Sequence, residues 1–447
     1  MNEKKSPAIL GTENIGNLLW QYSIPAIIST TVASLYNVID RIFIGQGVGS
    51  LAISGLAITF PLMNLSAAFG SLIGVGSSAM VSIKLGEKDT DGATKILGNA
   101  VLLNVLIGIF FTVIMFTFLD QVLYLFGASK DTLPYAKDFM SIILLGSVVT
   151  HLYLGLNNIM RASGYPKEAM IVTVFTIGIN IILAPIFIFK FEWGISGAAL
   201  ATVLAQIGGL IWVLLHFLRK SHYVHFTRNC FKLELKIIRE IFSIGISTFI
   251  MFTTSSLVVI LMNVTLAEYG GDYAIGAFGI IVSIQSLFAM IVLGFSQGMQ
   301  PIAGFNFGAK QFNRVREVLK KTILAGTVVT SFGFILCELF PKLIASAFTK
   351  DVQLITDTSL GMYITFALFP IVGFQMVTTN FFLSIGHARV SIILSLTRQV
   401  IFLTPALIVL PGIFSLYGVW MAIPTADLLS ALVTFIILKK QLKKIRD

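Results

Sequence analysis

The chain has 447 residues, of which 56% are hydrophobic and only 12% charged, with a formal net charge of +10. Soluble domains carry roughly 25% charged residues, so this composition excludes a soluble globular protein of this length. The two cysteines, Cys230 and Cys337, are far apart and lack metal or redox spacing, so neither a disulfide framework nor a thiol metal site is expected.

Apolar runs of about 20 residues are bilayer-spanning candidates. In chain order they predict spans over 17–42, 52–83, 96–119, 138–162, 168–189, 194–218, 237–266, 274–305, 318–342, 359–385, 390–412 and 416–438. The first run is too long for the core of a cleaved signal peptide and contains Asp40, so it is read as a span. Pro25, Pro185, Pro301, Pro370, Pro405 and Pro424 lie in or near spans, where each removes a backbone donor and can bend its helix.

With the N-terminus in the cytoplasm, the inner segments hold 24 Lys and Arg and the outer segments six, with Arg398 inside a span. That asymmetry places both termini on the cytoplasmic side. It also accounts for the positive net charge without nucleic-acid binding, because the basic residues are scattered over short loops.

The chain also repeats itself. Leu85-Gly-Glu-Lys-Asp89 follows span 2, and Phe307-Gly-Ala-Lys-Gln311 follows span 8. The shift that takes Leu85 to Phe307 also takes Asn158 to Asn380 and Gly164 to Gly386. Gly194-Ile-Ser-Gly-Ala opens span 6, and Gly418-Val-Trp-Met-Ala lies at the start of span 12. The expectation is an all-α membrane protein of twelve transmembrane helices in two six-helix bundles. An N-terminal lobe (1–218) and a C-terminal lobe (237–447) are joined by a basic cytoplasmic linker (219–236). Six is even, so both halves enter the bilayer from the same side and are related by a pseudo-two-fold axis along the membrane normal. Rocking one such lobe against the other gives alternating access, which makes transport the leading function.

Several of these residues, in order, resemble the multidrug and toxic compound extrusion (MATE) transporters, in the prokaryotic branch that includes the DNA-damage-inducible type. The resemblance runs over nearly the whole chain. It rests on Pro25 with Asp40, the two loops at 85–89 and 307–311, and Arg161-Ala-Ser-Gly. It rests further on Asn180 with Pro185, Gly-Ile-Ser-Gly-Ala-Ala at 194–199, and Gly-Val-Trp at 418–420. It implies efflux of amphipathic or cationic small molecules driven by inward proton or sodium flow, with no enzymatic activity and no cofactor beyond the coupling ion. The protein is expected in the cytoplasmic (inner) membrane of a prokaryote, as a monomer in the lipid bilayer.

A carboxylate within hydrocarbon costs at least ~2.5 kcal/mol on insertion scales and is usually functional or paired. Burial disfavours its charged form, so Asp40 could take up a proton and release it when wetted. Position alone leaves a second reading open. Asp40 lies about 22 residues past Leu18, roughly 33 Å along a helix, where Asp40 and Arg41 could form a hydrated pair at the outer interface. The resemblance favours coupling. Tyr36 and Asn37 lie on or near the same helical face as Asp40, and Asn180, Asn157 and Thr202 fall inside spans 5, 4 and 6. Each alone reads as helix–helix hydrogen bonding; with Asp40 they match the cation pocket that the resemblance places in the N-terminal lobe. Proton-coupled relatives often carry an acidic residue just before the proline of span 5; here Ala184 stands there, which puts a two-carboxylate relay in doubt. Oxygen ligands also suit an alkali cation, so sodium stays open. Pro25 is the expected hinge.

In the C-terminal half, Arg398 and Asp427 lie at matching depths in spans 11 and 12 and are expected to form a buried, structural pair. Phe60, Met63, Gln285, Phe288, Gln375 and Met376 are cleft candidates, since Phe and Met repack around varied ligands, though any one of them is more often packing. His151, inside span 4, is a weak proton-relay candidate. Two other classes remain. A flippase for lipid-linked precursors would need a cationic cavity, and a membrane-embedded transferase would need clustered carboxylates or a His with a partner acid. Neither pattern is evident.

Overall fold

The computed structural model describes residues 9–48, 50–348 and 351–444, apart from some side chains, those of Asn37 and Arg41 among them. Every regular element among the described residues is helical. The first three long helices are α1 (Ile15–Gly47), α2 (Ser50–Gly86) and α3 (Thr90–Thr117). Helix α4 is a bent pair, Leu133–Leu145 and Ser147–Ala162, turning by 56° at Gly146. Helix α5 (Pro166–Pro185) ends in a π-helical turn, Ile186–Lys190, and α6 spans Gly194–Leu218. Helices α7 (Leu235–Gly271) and α8 (Tyr273–Gly308) meet at Gly271, whose φ of 66° and ψ of −162° break the helix. Then come α9 (Phe312–Leu339) and a second bent pair, α10 (Val352–Phe366 with Phe369–Ser384), turning by 57°. The last stretch divides at Ser415 (φ 52°, ψ −135°) into α11 (388–414) and α12 (416–444). Eight helical stretches are long and apolar enough to cross a bilayer alone, and the bent pairs add two. The break at Ser415 and helix α1 bring the described spans to the twelve expected.

Local chemistry explains the ends. Asp89 caps α3 by accepting the Gly92 N–H at 2.8 Å, and Asp351 caps α10 by accepting the Leu354 N–H at 3.1 Å. Pro166 starts α5 at a position where its missing N–H has no intrahelical partner to lose. In α10 the bend falls at Ala367 and Leu368, just ahead of Pro370, which cannot donate into the preceding turn. The α4 bend has no proline; Val203 of α6 occupies the space a Cβ on Gly146 would need.

The repeat is written in the backbone itself. Helices α3 and α9 are equal in length, and the shift that takes Leu85 to Phe307 superposes both their ends. It also takes one left-handed residue to another, Lys88 (φ 62°) to Lys310 (φ 58°) and Gly164 to Gly386. The α4 bend at Gly146 answers the α10 bend at Leu368 by the same interval. Proline does not break α1 at Pro25, which stays within one continuous helix.

By contacts the chain forms two compact units. Among the described residues the first contains those of 9–13, 28–249 and 304–310, and the second those of 14–27, 250–303 and 311–444. Each has its own apolar core, around Leu62, Phe111, Phe139 and Ile188 in the first, and around Phe366, Phe369 and Trp420 in the second. Within the first unit the 219–236 stretch is docked on α3. Asn99 donates to the Lys232 carbonyl and accepts from the Glu234 N–H, Lys95 pairs with Glu234 at 2.8 Å, and the Cys230 backbone sits over Gly98.

The first turns of α7 lie against α2 in that unit, backbone on backbone. A Cβ on Gly245 would stand 1.7 Å from the Leu72 carbonyl oxygen, and one on Gly76 2.4 Å from that of Ile241. Carbonyls cannot retreat like side-chain tips, so Gly245→Val should destabilise the protein by about 1–3 kcal/mol or more. Thermal unfolding in detergent checks this, with Gly279→Ala, which meets nothing within 4 Å, as the silent control.

Candidate cation-coupling site

Three helices of the first unit build the site. Asp40 lies one helical turn after Tyr36 on α1, and its charge acts on the Tyr36 hydroxyl. Asp40 is 8% exposed, so its side chain is largely covered by protein. The Tyr36 hydroxyl and Thr202 Oγ1 are 3.0 Å apart, and Asn180 Nδ2 donates to the same Thr202 oxygen at 3.0 Å. Thr202 spends its single proton on the Ala198 carbonyl at 3.1 Å. Tyr36 is therefore the donor to Thr202, whose oxygen now accepts twice and is saturated. That arithmetic leaves Asn180 Oδ1, in a side chain 3% exposed, with no hydrogen-bond partner among the described residues. An amide oxygen and a phenol oxygen, both held in place by Thr202, thus stand in the neighbourhood of a buried carboxylate. Such a group can hold a proton on Asp40 or gather oxygens around a small cation.

The other predicted members are distributed differently. Asn157 stands apart, because its Nδ2 donates to the Ala169 carbonyl at 3.1 Å, clamping α4 to the start of α5. Asn180 is eleven residues further along α5, roughly 16 Å away at the α-helical rise. The side chain of Asn37 lies outside the described residues. Ala184 is fully buried in the apolar core with Ile44 and Leu62, so no carboxylate-sized space is kept at that position. His151 is buried too, with Nε2 3.1 Å from Ser66 Oγ, a contact between α4 and α2 rather than with Asp40.

Among the cleft candidates of the first unit, Phe60 is half exposed, and Met63 accepts a long contact from Thr59 Oγ1 and packs on the core. In the second unit Phe288 packs edge-on against Phe369. Gln285 is half-buried, and Gln375 and Met376 line a cavity described below. There too, Arg398 Nε donates to Asp427 Oδ1 at 2.7 Å, with the Asp427 side chain 3% exposed and the Arg398 side chain 32%. Arg398 sits in a π-helical segment of α11, Thr397–Leu403, a distortion common at functional positions. The helix pair that carries this ion pair, α11 with α12, is the repeat counterpart of α5 with α6, which carries the neutral Asn180–Thr202 bond. The sequence reading overlooked Gln399, whose only signal was a second polar side chain beside Arg398 in mid-span, and Glu168, which pairs with His216 at 2.7 Å between α5 and α6.

Comparison with known proteins agrees with this architecture. The family model described as MatE matches twice, over residues 25–186 and 247–408, two stretches related by the same shift that takes Leu85 to Phe307. The multidrug export protein MepA of Staphylococcus haemolyticus is 28% identical over 425 residues, covering 95% of this chain and 93% of its own. MepA of Staphylococcus aureus strain N315 is 27% identical, covering 94% and 92%. The solved structure of the MATE multidrug transporter DinF-BH is 36% identical, covers 96% of both chains and superposes with a TM-score of 0.89. An outward-facing multidrug resistance MATE family transporter of the MOP superfamily shares the fold at a TM-score of 0.93 over 99% of both chains, with 23% identity. Matched in both halves by one family model, this multi-pass membrane protein belongs to the MATE family of multidrug and toxic compound extrusion transporters.

Proposed function

We propose that this chain exports amphipathic or cationic small molecules by antiport against inward protons, with Asp40 as the proton-binding group. The observation that carries this is the buried Asp40 beside the Tyr36–Thr202–Asn180 hydrogen-bond set. A proton needs one carboxylate, whereas sodium needs a shell of oxygens. With Ala184 packed into the core, Asp40 works without a second acid from α5. In the outward-open state a proton neutralises Asp40, α1 shifts about Pro25 and the substrate leaves. The protonated carrier then turns inward, loses its proton and reloads. For a neutral substrate each inward charge contributes about 2.3 kcal/mol per 100 mV of membrane potential, enough to sustain more than a tenfold gradient, whereas one-for-one exchange with a monocation moves no net charge and draws on the pH gradient alone. The protein works as a monomer in the cytoplasmic membrane, both termini inside.

The direct test is dye efflux from energised vesicles, comparing a pH jump with a sodium jump. A pH jump, acid on the side that receives the dye, should drive efflux while a sodium jump does not. Efflux driven by sodium alone would move the coupling ion, and efflux driven by neither would end the antiport reading.

A further inference from the structure

The second unit holds a cavity of about 200 Å³ that proton coupling does not use, walled by α7, α8, α10 and α11. Met251, Phe252, Met290 and Met376 give it an apolar lining. Arg398 is the charged residue among the described wall residues, and Ser395, one helical turn earlier on α11, lines the cavity too. Two wall glutamines offer it no acceptor: Gln375 donates to Ser430 and Gln399 to Ser255, and the Oε1 of each is buried. Asp427, its side chain 3% exposed, is not among those wall residues and accepts from Arg398 Nε alone, at 2.7 Å. The Arg398 side chain is 32% exposed, and its Nη groups make no hydrogen bond among the described residues.

The ion pair is thus a dipole with its positive end on the cavity wall and its negative end covered. Guanidinium N–H groups set among apolar side chains call for an acceptor, and charge-assisted bonds to an oxyanion are roughly twice as strong as those to a neutral oxygen. Arg398 and Ser395 are neighbours on one helix face, about 5–6 Å apart at Cβ, which lets both donate to a single carboxylate. An ammonium group would meet the arginine's charge first. The thioether wall suits an aromatic body, because methionine sulfur is polarisable and adapts to ring edges. We propose that this cavity binds amphipathic organic acids, with the carboxylate on Arg398 and Ser395 and the apolar body among the methionines. That such an acid is cargo rests on the export reading; that it binds does not.

The probes are three naphthalenes of similar shape: 2-naphthoate, 2-naphthamide and 2-naphthylmethylammonium. Their fluorescence is followed at neutral pH on titration with the purified full-length protein in nanodiscs of zwitterionic lipid, with the signal of protein-free nanodiscs subtracted. Expected is saturable binding of 2-naphthoate, roughly tenfold or more tighter than the amide, and weakest binding of the ammonium. Asp427→Asn removes the compensating charge but keeps the arginine, so it should tighten naphthoate by roughly threefold or more and weaken the ammonium further. In the neutral double variant, Arg398→Gln with Asp427→Asn, the preference for naphthoate over the amide should fall to within about twofold. Asp40→Asn should leave that preference unchanged, so failure of coupling and failure of this site give different results. Absence of saturable naphthoate binding in the unaltered protein, or binding of the amide or the ammonium as tight as that of naphthoate, would overturn the assignment without reliance on any variant's folding. Weaker naphthoate binding by folded Asp427→Asn protein would overturn it as well.

Discussion

Asp40→Asn is expected to reduce uphill dye efflux in proteoliposomes to the level of protein-free vesicles, a loss of at least tenfold, while the protein keeps its fold. Asparagine matches the shape of aspartate and can still hydrogen-bond, but it cannot take up a proton or answer a positive charge. The neighbouring bonds do not depend on that charge: Tyr36 donates to Thr202, Thr202 to the Ala198 carbonyl, and Asn180 to Thr202. The unfolding temperature should therefore stay within a few degrees of the original. Uphill transport at the original rate by the asparagine protein would remove Asp40 from the mechanism. Loss of transport together with loss of the monodisperse folded protein would indicate a structural role instead.

The second large effect belongs to the ion pair of the other unit, and its asymmetry is the point. Asp427 is 3% exposed and Arg398 32%. Arg398→Leu strands a buried carboxylate, a change that costs about 3–5 kcal/mol in comparable buried pairs. Asp427→Asn leaves an arginine that still reaches the cavity and an amide that can still accept from Nε, so its cost is that of weakening one charged hydrogen bond, about 1.5–3 kcal/mol. The expected order of unfolding temperature is original protein, then Asp427→Asn, then Arg398→Leu. The double change Arg398→Leu with Asp427→Leu should recover part of the loss, because no charge is then left buried. A thermal series in detergent reads all four. If Asp427→Asn were the least stable, the pair would be carrying something other than charge compensation.

Much of the architecture could be read from residue order because two simple rules govern it. Apolar length fixes a span, and the loops that must turn sharply betray the repeat. Lys88 and Lys310 adopt left-handed backbone in the very loops whose similarity revealed the two halves. What escaped depends on partners distant in sequence. Gly146, at the α4 bend, lies against Val203, two helices further along the chain, and no local pattern announces that contact. Asn157 looked like a pocket residue because intramembrane asparagines of different helices look alike until their depths are known; its amide is taken by Ala169. Tyr36, Asn180 and Thr202 do come together, since α5 and α6 are antiparallel neighbours and α1 meets them in its C-terminal half. The π-helical segment at 397–403, which positions Arg398 and Gln399 on the cavity, has no sequence signature of its own.

The interleaving of the two compact units has a consequence for how the protein is made. Residues 304–310, at the end of the eighth span, belong to the first unit, and residues 14–27, at the start of the first span, belong to the second. During synthesis the first unit therefore has its apolar core, residues 44–201, when its sixth helix leaves the ribosome, but gains its last segment only two helices later. The opening turns of the chain, inserted first, are among the last to find their final neighbours. Assembly is thus held open until translation has passed the middle of the molecule, and a chain cut in the 219–236 stretch would yield two fragments that must trade segments before either is whole.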